Sequence, residues 1–154
     1  MKGEINTVLR NLLTEKTIQL NVEAKNWEQA VRMGGQLLID NGFVESRYVD
    51  AMVKAVKEMG PYIVIAPGIA MPHARPEEGV KQICMSLITL KEPVYFGNSA
   101  NDPVKLVVAI GAVDHDTHLK AISELMEIFI NDHNISKIMT SQSVKEVLDI
   151  IDGN

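Results

Sequence analysis

The sequence predicts a layered α/β domain, on three observations. Tyr62–Ala66, Ile83–Leu90 and Leu106–Val113 are apolar runs of strand length, rich in β-branched residues. Runs of that kind read as central strands buried on both faces. Segments with helical periodicity lie before and after them, so helices flank the strands at both ends of the chain. The 154 residues, 46% hydrophobic and 23% charged, have the length and composition of one soluble domain with a real core.

Each element has its own signal. Ile5, Val8, Leu9, Leu12 and Leu13 share one helical face. Thr17–Val22 reads as a short strand, with Ile18, Leu20 and Val22 alternating inward. Asn26, with Gln29 three residues on, resembles a capping box opening a helix to about Asp40, which Asn41-Gly42 ends. Ser46 caps the next helix, whose apolar face is Val49, Met52, Val53, Val56 and Met59, and Gly60-Pro61 terminates it. Between the second and third apolar runs lies a turn-rich connection, Lys91–Pro103, in which Val94-Tyr95-Phe96 reads as an extra strand. A helix from about Thr117 to Ile130 follows Asp-His-Asp-Thr-His, and a last helix runs from Ser143 to about Ile151. There is no internal repeat, low-complexity segment or linker.

Charge and composition exclude several functions. A net charge of −5 leaves no basic surplus for nonspecific binding to nucleic acid or anionic membranes. No stretch approaches the length needed to span a bilayer, and the N-terminal Met-Lys-Gly-Glu-Ile-Asn is not a signal peptide. The single cysteine, Cys84, rules out an intrachain disulfide and fits a reducing compartment. A cytoplasmic protein is expected.

The segment Ala-Pro-Gly-Ile-Ala-Met-Pro-His-Ala-Arg-Pro-Glu-Glu-Gly, residues 66–79, carries the strongest chemical signal. It sets His73 in a turn braced by Pro67, Gly68, Pro72 and Pro76. A neutral imidazole held outward there is suited to accept a group from another molecule. The alternative is a surface histidine without consequence. His118 falls in the first turn of the helix after Asp116-Thr117. Free N–H groups and the positive helix end attract anions there and disfavour a charged ring. A neutral His118 has an N–H to donate to a phosphoryl oxygen; simple packing on a neighbouring loop is the other reading.

Arg75, two residues past His73, shares its face in extended backbone and reaches the same anion. An ion pair with Glu77 or Glu78 is the competing account. His115 and His118, with Asp114 and Asp116 between and beside them, suggest a metal. No cysteine pair or further histidine completes a tetrahedral site, so no metal is expected. His133 reads as a solvated helix cap and Cys84 as a small buried hydrophobe. No Gly-x-x-x-x-Gly-Lys or Gly-x-Gly-x-x-Gly loop is present, so no nucleotide cofactor is expected and any phosphate arrives on a donor.

Gly68-Ile-Ala-Met-Pro-His73 together with Asp-x-x-His118-Leu at a helix start resembles the enzyme IIA component of the sugar phosphotransferase system, in its fructose–mannitol superfamily. The likeness covers nearly the whole chain, including the closing Ser-Val-Lys-Glu-Val-Leu-Asp-Ile-Ile. Residues 60–80 resemble the ascorbate-type branch most closely. The resemblance implies one IIA domain over residues 1–154, with a central mixed β-sheet flanked by helices on both faces. It implies a phosphoryl carrier: HPr phosphorylates His73, His73 passes the group to a cysteine of a IIB protein, and the IIC permease imports and phosphorylates a sugar. His118 is then the second active-site histidine, contacting the phosphoryl group without carrying it. A phosphorylated regulatory protein of the same fold, without a transport partner, is the first alternative, and a metal-dependent enzyme at His115 and His118 is the lesser one.

The chain departs from the resemblance at one position. Mannitol- and fructose-type relatives carry an arginine in the helix before the phosphorylated histidine, where this chain has Ala55 and a slightly longer spacer. That puts weight on Arg75 as the substitute cation. Ile69, Met71 and Pro72 are expected to ring the turn as an apolar docking surface for HPr and IIB, with packing beneath the loop as the alternative.

Overall fold

The computed structural model describes residues 7–153; Ile5, expected on the first helical face, lies outside them. The chain builds α1 (Thr7–Leu12), β1 (Ile18–Val22), α2 (Trp27–Asp40), α3 (Ser46–Met59), β2 (Val64–Ala66) and β3 (Ile69–Ala70). A 3₁₀ turn at Pro76–Glu78 leads into β4 (Cys84–Val94), β5 (Val104–Gly111), α4 (His115–Phe129), α5 (Asp132–Thr140) and α6 (Val144–Ile151).

The five strands form one mixed sheet in the order β1-β4-β5-β3-β2. Its centre is the antiparallel pair β4–β5, in register from Cys84↔Gly111 to Thr89↔Leu106. β1 lies parallel to β4 and β3 parallel to β5, while β2 turns back antiparallel on β3. Successive side chains of a strand point to opposite faces, so β4 and β5 feed two cores. Ile88, Leu90, Val107 and Ala109 pack with α2 and α3. Met85, Leu87, Leu106, Val108 and Ile110 pack with α1, α4, α5 and α6. Helices therefore cover both faces, which is why the apolar runs of β4 and β5 are nearly unbroken.

Close packing fixes α2 on the sheet and on α3. A Cβ on Gly35 would stand 2.5 Å from a Val49 methyl, so only glycine allows this approach. The Ser86 hydroxyl donates to the Gly34 carbonyl at 2.7 Å, satisfying a polar group beneath the helix.

Several elements differ from the sequence expectation. The segment after Tyr62 is a hairpin of two short strands, turning at Gly68 with φ +77°. Val94 belongs to the end of β4, paired with Val104, while Tyr95 is exposed and Phe96 is buried beyond the strand, so no separate extra strand forms. Glu45, not Ser46, is the N-cap of α3, and its side chain makes no cap hydrogen bond. α4 opens at His115 because the Asp114 carboxylate accepts from Thr117 N–H at 2.8 Å. α5 was not anticipated; Asn131 caps it, and His133 sits exposed in its first turn. The last helix lies where it was expected, with Ser143 as its N-cap.

Candidate functional site

His73 follows β3 directly, and the fold holds its backbone from two sides. Met71 N–H donates to the Ile63 carbonyl at 2.8 Å, and Ile110 N–H to the Pro72 carbonyl at 3.0 Å. The ring has its own anchor: Nδ1 lies 2.8 Å from the Met71 carbonyl. A carbonyl only accepts, so Nδ1 carries the proton and Nε2 of the neutral ring keeps its lone pair. The half-buried ring stands between two others. Tyr62 meets it edge-on, with centroids 5.8 Å apart and planes at 86°. His118 is 6.0 Å away at 54°.

His118 projects from the N-terminal end of α4, whose first turn also holds His115. Burial pulls its pKa below the ordinary imidazole value, with smaller contributions from charge on His73 and His115. Desolvation thus favours the neutral ring more than any neighbouring charge does. The two histidines, 45 positions apart in sequence, come together because β5 returns to the His73 segment at Ile110 and the chain enters α4 immediately afterwards.

Both rings face a groove of about 780 Å³. α3 forms one wall, with Arg47, Lys54, Ala55 and Met59; the His73 segment and the start of α4 form the other. Ala55, where the resemblance led one to miss an arginine, lines this groove. Arg75 also lines it, exposed and without the ion pair to Glu77 or Glu78 weighed as its alternative role. Among the described residues its guanidinium has no hydrogen-bond or ion-pair partner. Arg47 holds that corner instead, pairing with Glu45 at 2.8 Å and donating to the Glu77 carbonyl at 3.0 Å. Sequence reasoning missed Arg47, because its nearness to the groove depends on how α3 packs. Lys54 makes only a loose 3.7 Å pair with Glu58. The arrangement therefore combines a nucleophilic ring nitrogen, a second neutral imidazole and cationic side chains around one open space.

The expected docking residues need correction. Ile69 and Met71 are 3% and 4% exposed, packed in the core under α4, and Pro72 is buried as well. The pairing of β3 with β5 sets these side chains into the interior, so they support the turn rather than present a surface. The apolar groups that do reach solvent at this end are others: Met59 (66%) and Tyr62 (41%) on the groove, and Leu119 (51%) beside His118 in sequence. Met59 was expected on the buried face of its helix.

No group of three or more His, Cys, Asp or Glu side chains among the described residues is arranged to hold a metal ion. The Asp114 carboxylate is engaged in capping α4. Cys84 is buried, its thiol pushed up to about 12 by desolvation, which leaves it no thiolate for chemistry near neutral pH. No helix among the described residues is long and apolar enough to cross a membrane.

A carrier-type site on a mixed sheet layered with helices is the class that fold and geometry define. Residues 11–154 match the family described as "Phosphoenolpyruvate-dependent sugar phosphotransferase system, EIIA 2", and the chain belongs to that family. It is 44% identical over 146 residues to the ascorbate-specific PTS system EIIA component of Escherichia coli K12, covering 94% of this chain and 95% of the relative. Among solved structures it resembles the mannitol-specific cryptic phosphotransferase enzyme IIA CmtB of Escherichia coli. That match has a TM-score of 0.85 and 35% identity over 95% of this chain and 99% of that one. It also resembles the Escherichia coli complex of enzyme IIA(Mtl) with phosphorylated enzyme IIB(Mtl), with a TM-score of 0.81, 28% identity and coverage of 93% and 100%.

Proposed function

We propose that this chain is a cytoplasmic phosphoryl carrier that takes its phosphoryl group from HPr on Nε2 of His73 and passes it to a cysteine of a IIB protein. The observation that carries the residue assignment is the Nδ1 bond to Met71, which commits the other ring nitrogen to attack. In the first transfer the Nε2 lone pair forms the new P–N bond as the donor's P–N bond breaks, and the donor nitrogen keeps its electron pair. In the second, a thiolate sulfur attacks phosphorus and Nε2 leaves with the pair. Neither step needs a general-base carboxylate; positioning and charge stabilisation carry the rate.

His118 and Arg75 serve the equatorial oxygens in this reading, His118 by an N–H and Arg75 by its unpaired guanidinium. The likeness to a IIA that forms a complex with phosphorylated IIB supports a IIB partner. Identity to an ascorbate-specific relative supports an ascorbate-like sugar acid as the solute imported through the associated IIC permease. The carrier never contacts that solute, so its own site bears no record of it.

The test is incubation with enzyme I, HPr and phosphoenolpyruvate. The wild type acquires an acid-labile, base-stable phosphate and His73→Gln does not. Onward transfer to an ascorbate-type IIB identifies a transport component. A stable phosphoprotein that no IIB discharges identifies the regulatory alternative, and an unlabelled wild type refutes the carrier.

A further inference from the structure

Tyr48 belongs to the first turn of α3 and has no exposed surface, yet its hydroxyl ends beside the His73 segment. Burying a phenol is tolerated when its O–H is satisfied, and here it is satisfied twice. Oη donates to the Ile110 carbonyl at 2.6 Å and accepts from Ala74 N–H at 3.0 Å. The Ala74 carbonyl lies farther off, at 3.2 Å, and the single hydroxyl proton goes to the closer Ile110 oxygen. Ile110 N–H is already bonded to the Pro72 carbonyl. The two residues flanking His73 are therefore both tied to Ile110, Pro72 directly and Ala74 through Tyr48.

We infer that Tyr48 is a positioning residue for His73: its hydroxyl locks the Pro72–Ala74 backbone to the end of β5, which keeps Nδ1 on the Met71 carbonyl and Nε2 toward the groove. In-line transfer tolerates little misplacement of the attacking atom, and among the described residues the His73 side chain has no hydrogen bond other than the one to Met71. Burial raises the Tyr48 pKa, so the phenol remains a donor across the working pH range. The clamp joins the helix that walls the groove to the segment that carries the nucleophile. Its effect on rate rests on the carrier reading, but the clamp itself is measurable without any phosphoryl donor.

Tyr48→Phe keeps the ring in the core and removes only the hydroxyl. In the unphosphorylated protein, ¹⁵N NMR of His73 should show the Nδ1–H tautomer in the wild type and a mixture of tautomers in the variant. With enzyme I, HPr and phosphoenolpyruvate, the variant's kcat should fall roughly ten- to hundredfold while KM for HPr stays at the wild-type value. A merely structural tyrosine would lower the melting temperature and move neither the tautomer nor the split between kcat and KM. Should Tyr48→Phe fail to fold, hydrogen exchange of the Ala74 amide in the wild type decides: protection supports the bond to Tyr48. An unchanged tautomer, an unchanged kcat or an unprotected Ala74 amide overturns the inference. A wild type that takes no phosphate defeats the carrier reading instead, and the tautomer measurement still decides the clamp.

Discussion

His73 and His118 stand as a tilted ring pair, with centroids 6.0 Å apart and planes inclined at 54°, close enough for one phosphoryl group to touch both. Among the described residues, His73 has its Nδ1 anchored to a backbone carbonyl and His118 does not. The pair is thus asymmetric, with an acceptor and a neighbour. His118→Gln should still be phosphorylated on His73, at a rate lowered about a hundredfold, the scale for losing one donor to a developing charge. Rapid-quench phosphorylation from HPr measures it, and loss of all labelling would assign His118 more than a supporting part.

The lowered pKa of His118 makes a separate prediction about stability. Its folded value lies below the unfolded one near 6.5, so the unfolded chain binds more protons between the two. Stability then rises with pH through that window and is lost as pH falls below about 6.5. His118→Gln removes this contribution. The difference in melting temperature between wild type and variant should shift in the variant's favour on acidification below pH 6.5, and parallel curves would contradict the assignment.

Of the lysines and arginines lining the groove, Arg47 and Lys54 have carboxylate partners, whereas Arg75 has none among the described residues. Its side chain is exposed, and no carboxylate holds it among the described residues. Arg75→Ala should therefore leave stability within about 0.5 kcal/mol of wild type while slowing phosphoryl acceptance roughly tenfold. An unaltered rate would remove Arg75 from the site. Arg47→Ala, which breaks the tie between α3 and the Glu77 carbonyl, is the useful comparison, because it disturbs the same corner through a structural contact.

The large features of the fold were legible in the sequence because they are encoded locally. Apolar runs rich in β-branched residues marked β4 and β5, and the Asn26 cap marked α2. The His73 turn was legible for the same reason, since its prolines and glycines act on their own backbone. What failed depended on distant partners. The β2–β3 hairpin is too short to show a period, and it exists because Ile69 and Ala70 pair with Leu106 and Val107. That pairing also turned Ile69 and Met71 inward, reversing the expectation that they form a surface. α5 went unseen because it is short: its apolar stripe is only Ile135, Ile138 and Met139, of which Ile138 is buried and the other two are partly exposed. The Asn131 cap, accepting from Asn134 N–H, was the signal that could have found it.

Exposure separates two groups of apolar residues near His73, and mutation should separate them too. Met71 is core, so Met71→Ala should destabilise by about 2–5 kcal/mol. Met59 and Leu119 are exposed beside the groove and in α4. Met59→Asp and Leu119→Asp should leave the melting temperature nearly unchanged but raise the KM for HPr severalfold, with kcat preserved. Steady-state phosphorylation against HPr concentration reads this directly. Wild-type KM values in both variants would show that neither residue meets the donor.

Glu124 couples the N-terminal helix to the helix that carries His118. It lies on α4, 6% exposed, and accepts from both Val8 N–H and Leu9 N–H at 3.1 Å. The carboxylate thereby satisfies two amide donors of α1 beside the apolar packing of Leu9 and Leu13. Glu124→Ala should destabilise by about 1–3 kcal/mol, the cost of leaving buried donors unpaired. Glu124→Gln keeps an accepting oxygen and should recover a large part of that loss. The groove is lined by α3, the His73 segment and the start of α4, away from α1, so phosphorylation of His73 should continue in both variants below their melting temperatures. Equal melting temperatures for the alanine and glutamine variants would show that the hydrogen bonds to α1 contribute little. An inactive but folded Glu124→Ala protein would show that α1 docking reaches the site through α4.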